Sequence, residues 1–201
     1  TVTGKALFAG QDLLKAGEEK LRRLRGQKIA MVLQNPMSCF DPLYRIGSQM
    51  AETFATHTDW SGAHIREQSL AVLGKMHIRN GEEVLSKYPH QLSGGMLQRI
   101  MIGLALSLGP DLLIADEPTT AIDSITQYEI LNELRRIKEE HSTAILFITH
   151  DLSAISRVAD RILVLHEGWV VEKGPLPHCL NNTRHPYTRL LVEQRRSVMK
   201  R

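Results

Sequence analysis

The chain has 201 residues, of which 42% are hydrophobic and 23% are charged, a composition typical of a globular protein with a hydrophobic core. Its longest apolar run, residues 100–108, is far shorter than the roughly 20 residues that cross a bilayer, so membrane association is expected only through a partner. The net charge of +3 is small, and the basic residues at 195–201 lack interleaved aromatics, which argues against nucleic-acid binding. Cys39 and Cys179 are far apart in sequence, which favours free thiols over a disulfide framework or a zinc site.

The first clear strand is predicted at residues 28–33, an apolar run that ends at Gln34. A proline-containing loop follows this run, and the character of the sequence then changes. Two helices are predicted next, at residues 46–58 and 63–76, with no strand-like run between them. These residues therefore predict a helical segment that is inserted between strands.

A short polar segment, Ser93, Gly94 and Gly95, precedes a predicted apolar helix at residues 96–108. The N-terminus of a helix binds anions through its free backbone amides and its partial positive charge, and glycine lets a phosphate approach closely. On its own, however, a Ser-Gly-Gly segment is usually only a loop that leads into a helix cap.

A buried strand is predicted at residues 112–115, and it ends in two adjacent carboxylates, Asp116 and Glu117. Carboxylate oxygens suit Mg²⁺, and a second carboxylate beside the ion can act as a general base or orient a reacting water. Taken alone, the pair has an ordinary alternative, in which one carboxylate caps a helix near Pro118 and the other is solvated.

The next apolar strand is predicted at residues 144–149 and ends at His150. A side chain at the carboxyl end of a sheet strand faces the crevice in which α/β proteins bind ligands. The other eight histidines are scattered without ligand spacing and predict no metal site. Strands at residues 162–165 and 169–173 are predicted to form a hairpin, and a helix-poor, proline-containing segment then leads to a short closing helix. This order of strands and helical segments predicts an α/β fold with a mostly parallel sheet that is covered by helices.

Two segments carry a family resemblance. Residues 92–99, Leu-Ser-Gly-Gly-Met-Leu-Gln-Arg, and residues 112–119, Leu-Leu-Ile-Ala-Asp-Glu-Pro-Thr, resemble the signature motif and the Walker B strand of ATP-binding cassette (ABC) ATPases. Gln34 and His150 lie where this family has its Q-loop glutamine and its switch histidine. The resemblance implies a P-loop NTPase-like (RecA-like) core with an inserted helical subdomain. The implied organisation is a remnant of the N-terminal core at 1–36, a helical subdomain at 37–92, the signature helix and RecA-like core at 93–174, and a C-terminal extension at 175–201.

The resemblance also implies ATP and Mg²⁺ as ligands of this chain's own site. Asp116 and Gln34 are expected to contact Mg²⁺, and Glu117 is expected to act as the general base for the attacking water. His150 is expected to contact the γ-phosphate as a switch. None of these residues would be assigned alone, and the assignment depends on their order along the chain.

A second group is expected to act on the ATP of the opposite subunit, because in this family the signature closes over a nucleotide that the other subunit holds. This group consists of Ser93, Gly94 and Gly95, together with Gln98. Asp123, in a segment that resembles the family's D-loop, is expected to cross the dimer interface.

The sequence contains no Gly-x-x-x-x-Gly-Lys-Ser/Thr loop, in which backbone amides and a lysine hold the β- and γ-phosphates. Residues 1–10 resemble the stretch that follows this loop and its helix in the family. The chain is therefore expected to be N-terminally truncated, with its first strands and phosphate loop missing, and to be inactive in isolation. An interaction-only or degenerate subunit is an alternative, whereas a ribosome-associated cassette protein would need two cassettes and only one signature is present.

The branch of the family is indicated by residues 24–37, 41–47 and 185–191, which resemble bacterial importers of oligopeptides, dipeptides and nickel. Residues 95–102 are similar to the D-type subunit of nickel importers. The resemblance implies an ATPase at the cytoplasmic face of the inner membrane that drives uptake of nickel or a metal chelate, with peptide import as the alternative. The expected partners are a second ATP-binding subunit, transmembrane permease subunits and, indirectly, a solute-binding protein, with no nucleic acid.

Overall fold

The computed structural model describes residues 2–120, 122–141 and 143–198. The described chain begins with two short antiparallel strands, β1 (Leu7–Phe8) and β2 (Gln11–Asp12), which are followed by helix α1 (Glu18–Leu24). Strand β3 (Ile29–Val32) comes next and ends two residues before Gln34.

The inserted helical segment is confirmed. Its helices are α2 (Ile46–His57), α3 (Gly62–Lys75) and the short α4 (Gly81–Ser86), the last of which was not predicted. Apolar side chains at helical spacing, such as Met50, Phe54 and Leu73, are fully buried where these helices meet. Helix α5 (Gly94–Ser107) follows and packs against α3 and β3. No helix in the three described ranges is both long and apolar enough to cross a bilayer.

A three-stranded parallel sheet forms the centre of the fold, as the apolar runs predict. Its order is β3, β4 (Leu112–Asp116) and β5 (Ala144–Ile148), and helix α6 (Ser124–His141) forms the crossover between β4 and β5. Val32 lies opposite Ala115, and Asp116 lies opposite Ile148. The carboxyl ends of all three strands therefore lie at the same edge of the sheet.

Only one face of this sheet is deeply buried. Val32 and Leu113 have no exposed surface and belong to the cluster that α5 and α6 complete. On the other face, Met31 and Leu146 are 52% exposed and Ile148 is 45% exposed. The prediction of a sheet covered by helices therefore holds for one face of the described structure.

The predicted hairpin is confirmed, with β6 (Arg161–His166) antiparallel to β7 (Trp169–Pro175). The hairpin is a separate two-stranded sheet and does not join the three-stranded parallel sheet. The reason is that the inward side chains of β6 are buried in a second cluster, which includes side chains from helices α7 (Leu152–Val158), α8 (Leu176–Asn181) and α9 (Pro186–Val198).

The segment before the closing helix is helical, which corrects the helix-poor prediction. Pro177 lies in the first turn of α8, where a missing backbone amide costs no helical hydrogen bond. Helix α9 then begins against the hairpin. The Glu172 carboxylate accepts hydrogen bonds from the backbone amides of Arg184 at 3.3 Å and His185 at 3.4 Å, and the rings of His166 and Tyr187 stack at 4.0 Å.

Gly103 lets helices α3 and α5 approach closely, which yields a stability prediction. A Cβ at Gly103 would lie 2.7 Å from Val72 Cγ1 and 2.8 Å from Met76 Cγ, and both side chains are buried. Gly103→Ala gains about 1 kcal/mol of helix propensity but incurs about 1–3 kcal/mol of overpacking. We expect a net loss of about 1 kcal/mol in the free energy of unfolding, measured by urea denaturation.

The matched control for this prediction is Gly74→Ala in α3, since a Cβ there meets nothing within 4 Å. This control should stabilise the protein by up to about 1 kcal/mol, because only the propensity gain applies. Equal effects from the two substitutions would contradict the close packing at Gly103.

Candidate active site

The carboxyl ends of the three parallel strands bring the predicted site residues to one edge of the sheet. Leu33 and Gln34 continue from β3, Asp116 ends β4, and His150 lies two residues beyond the end of β5. The register that pairs Val32 with Ala115 places these strand ends side by side.

Glu117 turns sharply out of β4. Its φ is +47°, in the left-handed region that a residue with a side chain rarely adopts, while its backbone amide still donates to the Ile148 carbonyl at 2.9 Å. Such conformations cost free energy and cluster at functional sites. Here the turn lets the Glu117 carboxylate reach the residues that follow β5.

The Glu117 carboxylate accepts four hydrogen bonds. Its Oε1 accepts from Nδ1 of His150 at 2.7 Å and from the His150 backbone amide at 3.1 Å. Its Oε2 accepts from the hydroxyls of Thr120 at 2.9 Å and Thr149 at 3.1 Å. Because Glu117 is the acceptor, Nδ1 of His150 carries a proton. The structure thus joins the two residues that the sequence assigns to catalysis.

These contacts favour the charged form of each partner. Partial burial raises the pKa of Glu117, but the hydrogen bonds from His150, Thr120 and Thr149 outweigh burial and hold that pKa below its usual value. The hydrogen bond to Glu117, followed by the attraction of its charge, raises the pKa of His150. The His150 side chain is 79% exposed whereas that of Glu117 is 18% exposed, so the imidazole covers the carboxylate from the solvent side.

Asp116 and Gln34 suit a magnesium ion. Within the described chain, neither side chain has a hydrogen bond or an ion pair, so their oxygens are free to act as ligands. The described residues contain no group of three or more His, Cys, Asp or Glu side chains that could hold a metal ion. Mg²⁺ typically takes only one or two carboxylates and completes its shell with phosphate oxygens and water, which fits this pair.

Three polar residues that sequence reasoning missed belong to the same network. Thr120 and Thr149 hold Oε2 of Glu117, and Nε2 of Gln127 donates to Thr119 at 3.3 Å and to Asp151 at 3.2 Å. The positions of the two threonines, three residues after Glu117 and directly before His150, were the available signal. No pattern in the sequence distinguishes Gln127 on α6.

Among the described residues, the signature residues make no hydrogen bond to this network. The Ser93 hydroxyl caps helix α5 by accepting from the Met96 amide at 3.2 Å, and Ser93 and Gly94 are exposed. A Cβ at Gly94 would meet nothing within 4 Å, so the helix N-terminus is open to an incoming group. No hydrogen bond or ion pair in the described ranges joins residues 93–95 to Glu117 or His150.

Two predicted residues have local contacts that the sequence did not indicate. Gln98 is 1% exposed and its amide donates to the Leu33 carbonyl, so its side chain lies in the interior here, and its contact with a nucleotide stays a prediction. Asp123 is exposed and caps α6 by accepting from the backbone amides of Ile125 at 3.1 Å and Thr126 at 3.0 Å, and its interface role stays a prediction. Ala121, in the predicted D-loop, lies outside the described residues.

Comparisons with known proteins place this fold in a family. Residues 1–120 match the family model described as ABC transporter. The chain is 41% identical over 197 residues to the metal-staphylopine import system ATP-binding protein CntD of Staphylococcus aureus, covering 98% of this chain and 73% of that protein. It is 42% identical over 185 residues to the probable D,D-dipeptide transport ATP-binding protein DdpD of Escherichia coli, covering 92% and 56%. Among solved structures, the dimeric ATP-binding cassette MJ0796 bound to ADP and Pi matches with a TM-score of 0.78 and 27% identity, over 87% of this chain and 74% of that chain.

Proposed function

The chain belongs to the ABC transporter family, and from this premise we propose that it is the ATP-binding and ATP-hydrolysing subunit of a bacterial importer. The observation that carries the proposal is the contact between Glu117 and His150 at the strand ends that also present Asp116 and Gln34. A base, a protonated partner and free magnesium ligands are the groups that hydrolysis of a phosphoanhydride needs.

In the proposed mechanism, Asp116 and Gln34 would hold Mg²⁺, which would neutralise phosphate charge. Glu117 accepts the proton of the attacking water. The hydrogen bonds from His150, Thr120 and Thr149 hold the pKa of Glu117 below its usual value and so weaken it as a base, and loss of one of these donors would make it a stronger base. His150 is the donor best placed to move, since it is exposed and is expected to contact the γ-phosphate.

The signature residues are proposed to complete the site of a second ATP-binding subunit. The Ser93 hydroxyl and the amides at the N-terminus of α5 offer donors to a phosphate, and the open space at Gly94 allows its close approach. The dimeric form of the MJ0796 cassette supports such pairing. The 201 residues contain no phosphate loop of the Gly-x-x-x-x-Gly-Lys-Ser/Thr type.

The remaining partners follow from the family. We propose that the protein acts at the cytoplasmic face of the membrane, bound to transmembrane permease subunits that receive cargo from a solute-binding protein. The loop after Gln34 supports a protein contact in the helical subdomain, since Leu43 is 79% exposed and Tyr44 is 59% exposed.

The proposed cargo is nickel, free or as a metal chelate. The name of the CntD relative, a metal-staphylopine import system protein, supports it, and the DdpD relative keeps dipeptide import as the second candidate. Deletion of the gene should abolish cellular uptake of radioactive chelated nickel while uptake of labelled dipeptide continues. Wild-type protein should restore nickel uptake. Loss of dipeptide uptake with normal nickel uptake would instead assign the chain to peptides.

A further inference from the structure

Gln98 is an unusual residue for its surroundings. It lies in the second turn of α5, five residues after Ser93 and next to the fully buried Leu97, and it is 1% exposed. Glutamine is rarely fully buried without partners for its amide, because unpaired polar atoms in an apolar interior cost free energy.

Only one of the two polar atoms of the Gln98 amide has a hydrogen-bond partner in the described part of the chain. Nε2 donates to the Leu33 carbonyl at 3.4 Å, which is long for a hydrogen bond. Oε1 has no hydrogen-bond partner anywhere in the described part of the chain. Rotating the amide by half a turn would place Oε1 against the Leu33 carbonyl, two acceptors face to face, so the described orientation is the favourable one.

The Leu33 carbonyl belongs to the peptide bond that leads into Gln34. Helix α5 also packs against the short 3₁₀ turn Pro36–Ser38 that follows Gln34, and Pro36 is buried there. The segment around Gln34 is therefore held against the signature helix by packing and by one weak hydrogen bond from Gln98.

The neighbouring residue on α5 points to the helical subdomain instead. Nη1 of Arg99 donates to the carbonyls of Met76 at 3.3 Å and His77 at 3.4 Å, just after the end of α3. Consecutive side chains of α5 thus bond the segment that follows β3 on one side and the segment that follows α3 on the other.

We propose that Gln98 is a positioning residue that couples Gln34 to the signature segment Ser93–Gly95. The inference rests on the proposed function, in which Gln34 contacts Mg²⁺ and the signature contacts the partner's ATP. A shift of the backbone at Gln34 moves the Leu33 carbonyl, and the Gln98 amide transmits that shift to α5, whose N-terminus carries Ser93. The unpaired Oε1 offers a second acceptor that can engage when the loop moves.

The test uses Gln98→Met, which keeps the volume and removes both amide atoms. Because the substitution removes an unpaired buried acceptor, the melting temperature should be unchanged or higher. Hydrogen exchange of the 201-residue chain should become faster in residues 33–39. In the assembled ATPase dimer, kcat should fall about tenfold while KM for ATP changes little, since coupling and not binding is lost.

Ser69→Ala is the matched control. Ser69 is similarly buried, but its hydroxyl donates to the Ile65 carbonyl of its own helix α3 and so does not bond the segment around Gln34. This variant should leave kcat and exchange in residues 33–39 unchanged. In addition, the effects of Gln98→Met and Gln34→Ala on kcat should be non-additive, because both act on the same connection.

Unchanged kcat and unchanged exchange in Gln98→Met would overturn the inference and leave Gln98 as a filler of space. Failure of both Gln98→Met and Gln98→Leu to fold would also overturn it, since the amide would then be needed for folding itself. If the proposed function itself were wrong, Glu117→Gln would still hydrolyse ATP. That result distinguishes failure of the proposed function from failure of the role of Gln98.

Discussion

Glu117→Gln should bind ATP but hydrolyse it at least on the order of 10²-fold more slowly, in an assembled ATPase that includes a phosphate loop. The amide cannot take a proton from water, yet its carbonyl oxygen can still accept the bonds from Nδ1 and the backbone amide of His150. Stability should therefore change little, and nucleotide should remain trapped in a closed dimer. Steady-state hydrolysis and retention of labelled ATP after gel filtration measure the two effects.

Glu167→Gln is the control for this substitution. Glu167 also has a positive φ, of 50°, but it lies in the exposed turn between β6 and β7. It should retain normal turnover, because the same chemical change is made outside the site. If Glu117→Gln also hydrolysed ATP at a near-normal rate, the base would have to be another residue.

Gly94→Asp should abolish ATP-driven pairing with a second subunit without unfolding this chain. A Cβ at Gly94 meets no neighbour, and an acidic side chain is favourable in the first turn of a helix, so the fold accepts the change. A phosphate that approaches from the partner, however, meets a carboxylate, and such like-charge contacts cost several kcal/mol. Dimerisation measured by light scattering with and without ATP should show a complete loss.

Gly62→Asp provides a closely matched control. Gly62 also begins a 14-residue helix after a capping serine, Ser61, and a Cβ there also meets nothing within 4 Å. It should leave pairing intact. Normal pairing of Gly94→Asp would refute the role of the signature in the partner's site.

In a mixture with a related subunit that has its own phosphate loop, Ser93→Arg should likewise remove the activity of the shared site.

Much of the architecture could be predicted because it depends on local pattern. Apolar runs of four to six residues marked all strands of the parallel sheet to within about two residues of their observed ends, and helical spacing marked α2, α3 and α5. The separation of the β6–β7 hairpin could not be predicted, because an apolar strand looks the same whether it pairs with the main sheet or packs against α8 and α9.

The sequence by itself determined the family and the candidate residues for its chemistry, since the order of Gln34, Ser93–Gly95, Asp116, Glu117 and His150 is typical of the family and their types suit its reaction. Only the tertiary structure decided which of them touch. The contact of Glu117 with His150, 33 residues away, depends on the register of β4 with β5 and on a left-handed backbone at Glu117. The inward position of Gln98 depends on how α5 packs on β3. Register, backbone turns and helix packing arise from contacts distant in sequence, and a local pattern of residue types contains no information about them.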